Sequence, residues 1–224
     1  MPSSSIFAFD LDGTVTRAEI LPAIAHPAGI FDEMASLTAM TLDGVIDFET
    51  SFRRRFEMLR TIPLATVQKI TAEIPLDPDI TAFIAENREI CAIVTGNLDR
   101  WIEPLAAKLG CALYSSRSEI KNGNLVLTSI VNKGNVVRDL ARNGKRVIAI
   151  GDAANDIPMF MAADIGIAYG GLRPPAPGLL AVANGVEHDA AALCRVLRQL
   201  RDTTDIYPAH ACLLSEAGRV RFLP

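Results

Sequence analysis

No pair of the four cysteines, Cys91, Cys111, Cys194 and Cys212, has C-x-x-C spacing. The chain therefore carries no thiol motif, and Cys91 and Cys111, each opening an apolar run, read as reduced packing residues. Positive charge is not in excess either. The formal net charge is −4, and the longest basic run, Arg53-Arg54-Arg55, is too short for a polyanion tract, which argues against nucleic acid as a partner. No segment approaches the ~18 uninterrupted apolar residues of a membrane span. Met1 to Ser5 shows no basic region followed by an apolar stretch, so a cytoplasmic location and a small-molecule partner are expected, with the oligomeric state left open. Internal repeats are absent, and His26, His188 and His210 belong to no motif, which makes them structural or surface residues.

What remains is a chain of 224 residues, 50% hydrophobic and 21% charged, long enough for one core with a small insertion. Short apolar runs near 6–10, 90–94, 111–115, 146–150 and 164–168 alternate with helical patterns near 98–109, 134–142, 156–162 and 189–200. This alternation predicts an α/β fold, a Rossmann-like parallel sheet covered by helices on both faces. Residues 15–76 break the rhythm with helical patterns only and close at the proline-rich Ile74 to Pro78. The expected division is a core of 1–14 and 77–200, a small α-helical cap of 15–76, and an extension of 201–224 to which no role is assigned. The Asn122-Gly123 pair between alternating residues predicts an antiparallel hairpin at a sheet edge.

Ligands of such sheets bind beyond the carboxyl ends of the strands. There the first apolar run meets Asp10-Leu11-Asp12-Gly13, the second meets Thr95-Gly96-Asn97, and the run at 146–150 meets Gly151-Asp152, with Asp156 four residues on. A carboxylate that attacks phosphorus divides phosphomonoester hydrolysis into two easier steps. Asp10 suits that role, and Asp12 suits proton transfer to the leaving oxygen and then from water. An anion attacking a phosphate dianion needs a cation, and Asp10, the backbone carbonyl of Asp12 and Asp152 offer an oxygen set for Mg²⁺, with Asp156 behind them. Thr95, Gly96 and Lys133 offer donors to the phosphoryl oxygens.

This set of motifs, over residues 6 to about 170, resembles the haloacid dehalogenase superfamily of phosphatases. The resemblance implies a nucleophile at Asp10, an acid/base at Asp12, phosphate ligands at Thr95 and Lys133, and Mg²⁺ held by Asp152 and Asp156. It also implies a Rossmann-like core with a mobile cap, for which 13–16 and 75–79 are the expected hinges. Ala39 to Gly44 and Phe48 to Arg55 resemble the cap of phosphoserine phosphatases. That likeness implies Glu19 on a substrate amine, Arg55 on its carboxylate, and Met40 lining the pocket.

The helical period alone puts Phe48, Phe52, Arg55 and Leu59 on one stripe, with Arg53 and Arg54 pointing away. An inward Arg55 needs an anion, either a substrate carboxylate or an internal partner among Asp43, Asp47 and Glu49. Thr16-Arg17-Ala18-Glu19 also fits a capping box, a competing role for Glu19. Asn97 departs from the glycine usual in those phosphatases, and its side chain would narrow the pocket or contact substrate; Gly13 and Ala153 replace the commoner Ser and Gly. The expected function is a Mg²⁺-dependent phosphatase of a small metabolite, phosphoserine foremost. The alternatives are hydrolysis or phosphotransfer on another metabolite such as homoserine phosphate, or a non-catalytic phosphate-binding module. Phosphonate hydrolysis ranks below these, because the only lysine of the insertion is Lys69.

Overall fold

The computed structural model describes residues 5–203, apart from Gly44 and Asn143. The extension expected from 201 onward, with His210 and Cys212, lies beyond the described residues after Thr203.

The first apolar run is β1 (Ser5–Phe9), buried along its whole length as the central strand of a parallel sheet must be. Four helices then follow without a strand: α1 (Ile20–Ala25), α2 (Phe31–Leu42), α3 (Phe48–Leu59) and α4 (Leu64–Ala72). The chain resumes alternation with α5 (Pro78–Glu86), β2 (Cys91–Leu98), α6 (Glu103–Leu109), β3 (Ala112–Lys121), β4 (Asn124–Ser129), α7 (Lys133–Ala141) and β5 (Arg146–Gly151). It ends with α8 (Ile157–Phe160), β6 (Ile165–Tyr169), α9 (Pro177–Leu180), β7 (Gly185–Glu187) and α10 (Ala190–Asp202).

The strands form one sheet in the order β4-β3-β2-β1-β5-β6-β7, parallel except for the β3–β4 pair. Asn122 and Gly123 take φ of 51° and 77° at that hairpin, the left-handed geometry a two-residue turn requires. The fold class is that read from the sequence, with boundary differences. β2 continues to Leu98, so the helix expected from 98 begins at Glu103; α5, α9 and the short β7 are additions. Phe7 and Phe9 meet Phe83 of α5 at ring distances of 5.2 and 6.2 Å, which seats that helix on the sheet.

The insertion leaves and re-enters the core at one neck. Thr16 and Leu76 form an antiparallel bridge, Arg17 N–H donates to the Pro75 carbonyl, and Asp77 N–H donates to the Val15 carbonyl, both at 2.8 Å. Beyond the neck, Phe52 and Phe56 of α3 pack on Trp101, and the Thr71 hydroxyl donates to the Trp101 carbonyl at 2.7 Å. The helical segment therefore lies against the carboxyl end of β2, beside the residues that close the site.

Candidate active site

Asp10 follows β1 directly, and its N–H donates to the Ile150 carbonyl of β5 at 2.8 Å, which locks the strand end. The turn after it depends on Gly13. Its φ is +72°, and a Cβ there would stand 2.6 Å from the Asp152 carboxylate, so the residue meets both a backbone and a space requirement. The tight turn brings the loops after β1 and β5 together.

Carboxylate oxygens of Asp10, Asp152 and Asp156 all lie within 4.8 Å of one another, and all three residues are buried. Lys133, the first residue of α7, donates to Asp10 and, at 2.6 Å, to Asp156. Burial opposes its charge, yet the two carboxylates raise its pKa above the ordinary lysine value. The second oxygen of Asp156 accepts the Asp152 and Ala153 N–H groups, both at 3.1 Å. Asp156 therefore shapes the loop as much as it adds charge. Burial, and then the Asp156 charge, lift Asp10 well above the ordinary carboxylate range and Asp152 to about 7. One Asp152 oxygen is buried without a hydrogen-bond partner among the described residues.

Asp10 and Asp12 open on a cavity, partly open to solvent, whose lining includes Glu19, Arg55, Gly96 and Asn97. Arg55 of α3 is 5% exposed. It reaches the Thr38 hydroxyl at 3.3 Å and the Ser51 carbonyl at 3.4 Å, and no carboxylate among the described residues pairs with it within 4.0 Å. The internal partner is thus not found: Asp47 caps α3 through the Thr50 N–H, and Glu49 pairs with the outward Arg53. Burial draws the guanidinium down to about 10.

Glu19 takes neither side of a capping box. Helix α1 starts after it with no side-chain cap, and the Thr16 hydroxyl is occupied by Gly13 N–H and by the Leu11 and Ala18 carbonyls. The Glu19 carboxyl faces the cavity instead, raised to about 8 by burial and then by the Asp12 charge. Its neighbour is Arg173, which bridges Glu19 at 3.5 Å and Asp152 at 2.9 Å. Sequence reasoning missed Arg173. The usable signal was its place in the loop after β6, at the sheet edge that also carries Asp10, Thr95 and Asp152. Asn155, which also lines the cavity, was passed over inside the motif.

Thr95 is fully buried and its hydroxyl accepts from the Asn97 N–H and side-chain amide, each at 3.2 Å. A Cβ on Gly96 would overlap the Phe48 ring of α3, so glycine lets the helical segment approach this loop. Met40 stands 36% exposed, and the α2 residues that line the cavity are Thr38 and Thr41. A helix turns about 100° per residue, which sends Met40 to the outer face when 38 and 41 face in.

Five carboxyl groups thus crowd three cations, Lys133, Arg55 and Arg173, and the cluster lacks positive charge. The lifted carboxyls and the orphaned Asp152 oxygen are what a divalent cation would satisfy. Among the described residues, no helix is long and apolar enough to cross a membrane.

The comparisons with known proteins agree with this geometry. Residues 7–161 match the haloacid dehalogenase-like hydrolase family. The phosphoserine phosphatase SerB2 of Mycobacterium tuberculosis is 32% identical over 178 residues, which are 73% of this chain and 44% of that protein. That of Methanocaldococcus jannaschii is 29% identical over 73% of this chain and 84% of its own length. The chain spans about half the length of the Mycobacterium relative and of an Archaeoglobus fulgidus one, at 44% and 52%. A substrate-bound phosphoserine phosphatase complex superposes with a TM-score of 0.75 at 27% identity, covering 87% of this chain and 97% of that one. A phospho-aspartyl intermediate analogue of phosphoserine phosphatase gives 0.73 at 28%, covering 87% and 98%. With its family motifs at the strand ends that build this cavity, the protein belongs to the haloacid dehalogenase-like hydrolases.

Proposed function

We propose that the chain is a Mg²⁺-dependent phosphatase of small phosphomonoesters that carry a carboxylate, O-phosphoserine foremost, acting through an aspartyl phosphate on Asp10. One observation carries the substrate class. Arg55 is a buried guanidinium with no carboxylate within 4.0 Å among the described residues, opening on the cavity that holds Asp10 and Asp12. A charge kept out of water without a counter-ion is costly, and a substrate carboxylate held by both its oxygens offsets that cost. The relatives that bear the name phosphoserine phosphatase support the reading.

Asp10 would hold the metal together with Asp152 and the backbone carbonyl of Asp12, with Asp156 behind them. When bound there, Mg²⁺ supplies the charge that lets a carboxylate approach a phosphate dianion. The Asp10 carboxylate attacks phosphorus, and the bond to the ester oxygen breaks. Asp12 gives its proton to the leaving alkoxide, then takes one from the water that attacks the aspartyl phosphate, releasing phosphate and restoring Asp10. Lys133 has a third N–H for a phosphoryl oxygen, beside the Gly96 backbone amide and the Thr95 hydroxyl.

The Arg173 contact favours a second substrate reading. Glu19 shares its charge with that guanidinium, so an ester with a carboxylate but no ammonium group also fits. Phosphate release from O-phospho-L-serine, phosphothreonine, homoserine phosphate, 3-phosphoglycerate, sugar phosphates and nucleotides, with and without Mg²⁺, tests both. Selective Mg²⁺-dependent turnover of carboxylate-bearing esters, abolished in Asp10→Asn, is expected. Turnover without selectivity would remove the role of Arg55, and no release from any ester would leave a phosphate-binding module.

A further inference from the structure

Asn97 lies where the sequence departs from the glycine usual in phosphoserine phosphatases, and it is 4% exposed on the cavity wall. Its side-chain amide donates to Asp12 Oδ2 and lies 3.2 Å from the Thr95 hydroxyl. The other oxygen of Asp12, Oδ1, accepts the Ile20 N–H at 2.8 Å. The Asp12 carboxyl is therefore gripped from two sides, by the first residue of α1 in the helical insertion and by the loop at the end of β2 in the core. We propose that Asn97 is a positioning residue for Asp12, and that it sets how far the enzyme can cleave esters whose leaving group needs a proton.

The alternative is that Asn97 is a buried amide satisfying itself. Its Oδ1 counts against that, because it has no hydrogen-bond partner among the described residues. A buried acceptor left unmet is destabilising, and a glycine at 97 would avoid it. The orientation of the amide follows from chemistry. With Asp12 ionised, as it is when it takes a proton from water, the amide turned over would set its carbonyl oxygen against a carboxylate oxygen, two acceptors face to face. With Nδ2 toward Asp12, the contact fixes the plane of the carboxyl and the direction of the oxygen that serves the ester.

This rests on the reading that Asp12 protonates the leaving oxygen. Proton transfer matters most for a poor leaving group: an alkoxide departs with difficulty unless protonated, whereas p-nitrophenolate departs as the anion. Misaligning Asp12 should therefore slow the two classes unequally. kcat/KM isolates the step, because it reports events through release of the alcohol or phenol and excludes hydrolysis of the aspartyl phosphate.

The experiment compares Asn97→Ala and Asn97→Ser with the unaltered chain, on O-phospho-L-serine and p-nitrophenyl phosphate at saturating Mg²⁺, with thermal melts as a check on folding. The expected result is a fall in kcat/KM of tenfold or more for phosphoserine and of less than about threefold for the aryl ester, since acid–base catalysis is worth roughly 10²–10⁴ in all. In an Asp12→Asn background, Asn97→Ala should leave the ratio between the two esters unchanged. A parallel fall on both esters, or a rise in KM for both at constant kcat, would overturn the inference and leave the phosphatase reading intact. No Mg²⁺-dependent turnover of either ester by the unaltered chain would overturn both.

Discussion

Replacing Arg55 with methionine separates its two effects, on the free protein and on substrate. In the free protein, burial draws the guanidinium down from its ordinary value to about 10. At about 1.4 kcal/mol per tenfold change, keeping it charged costs on the order of 3 kcal/mol. The contacts to Thr38, Ser51 and the Phe48 ring return part of this, about 1–2 kcal/mol. Methionine keeps much of the volume without the charge, so Arg55→Met should gain about 1–2 kcal/mol. At roughly 2–4 °C per kcal/mol for a domain of this size, the melting temperature rises by about 2–8 °C. With substrate the sign reverses, because losing a buried charge-assisted pair to a carboxylate costs about 2–4 kcal/mol, equivalent to a fall in kcat/KM of about 30- to 700-fold. The assay pairs O-phospho-L-serine with O-phosphoethanolamine, which lacks the carboxylate. Only the first should lose turnover on this scale; the second should stay within about threefold. Equal losses on both esters would refute the reasoning, as would a melting temperature that falls by several degrees, since either would make Arg55 a structural residue.

Four further outcomes follow from the same geometry. Glu19 is raised from 4.5 to about 8, so between those values the folded chain binds a proton that the unfolded chain releases, and stability falls as pH rises through that window and levels above it. Glu19→Gln should flatten this slope in metal-free urea titrations at pH 5, 6.5 and 8, by a few kcal/mol at the alkaline end; an unchanged slope would count against it. Lys133→Met leaves Asp10 and Asp156 without their shared cation and should lower stability by about 3–5 kcal/mol, seen as a drop in urea midpoint together with loss of turnover. Gly96→Ala places a methyl group into the Phe48 ring and should lower kcat/KM by about tenfold or more, with recovery in Gly96→Ala/Phe48→Leu. Chelation of divalent cations should abolish phosphate release, and calorimetry should show Asp152→Asn binding Mg²⁺ at least tenfold more weakly.

The sequence by itself determined the sheet, its strand ends and the carboxylates that gather there. Alternating apolar runs can be buried on both faces in only a few ways, and residues that follow such runs must emerge at the same edge, so Asp10, Thr95 and Asp152 converge whatever the details of packing. The inward turn of Arg55 was legible for a related reason, since helical periodicity is local. What the tertiary structure alone decided were choices between partners distant in sequence. Glu19 could have capped its own helix, but Thr16 is drawn into the neck with Leu76 and leaves that role empty. Asn97 meets Asp12 across 85 residues of chain, and Arg173 meets Asp152 and Glu19 through a loop whose Arg-Pro-Pro sequence signals no chemistry. On α2 the fold turns Thr38 and Thr41 to the cavity and leaves Met40 36% exposed. Periodicity and strand order constrain which edge or face a residue occupies, whereas the partner of a buried polar group is chosen by the free energy of desolvating it, which depends on everything the fold brings within reach.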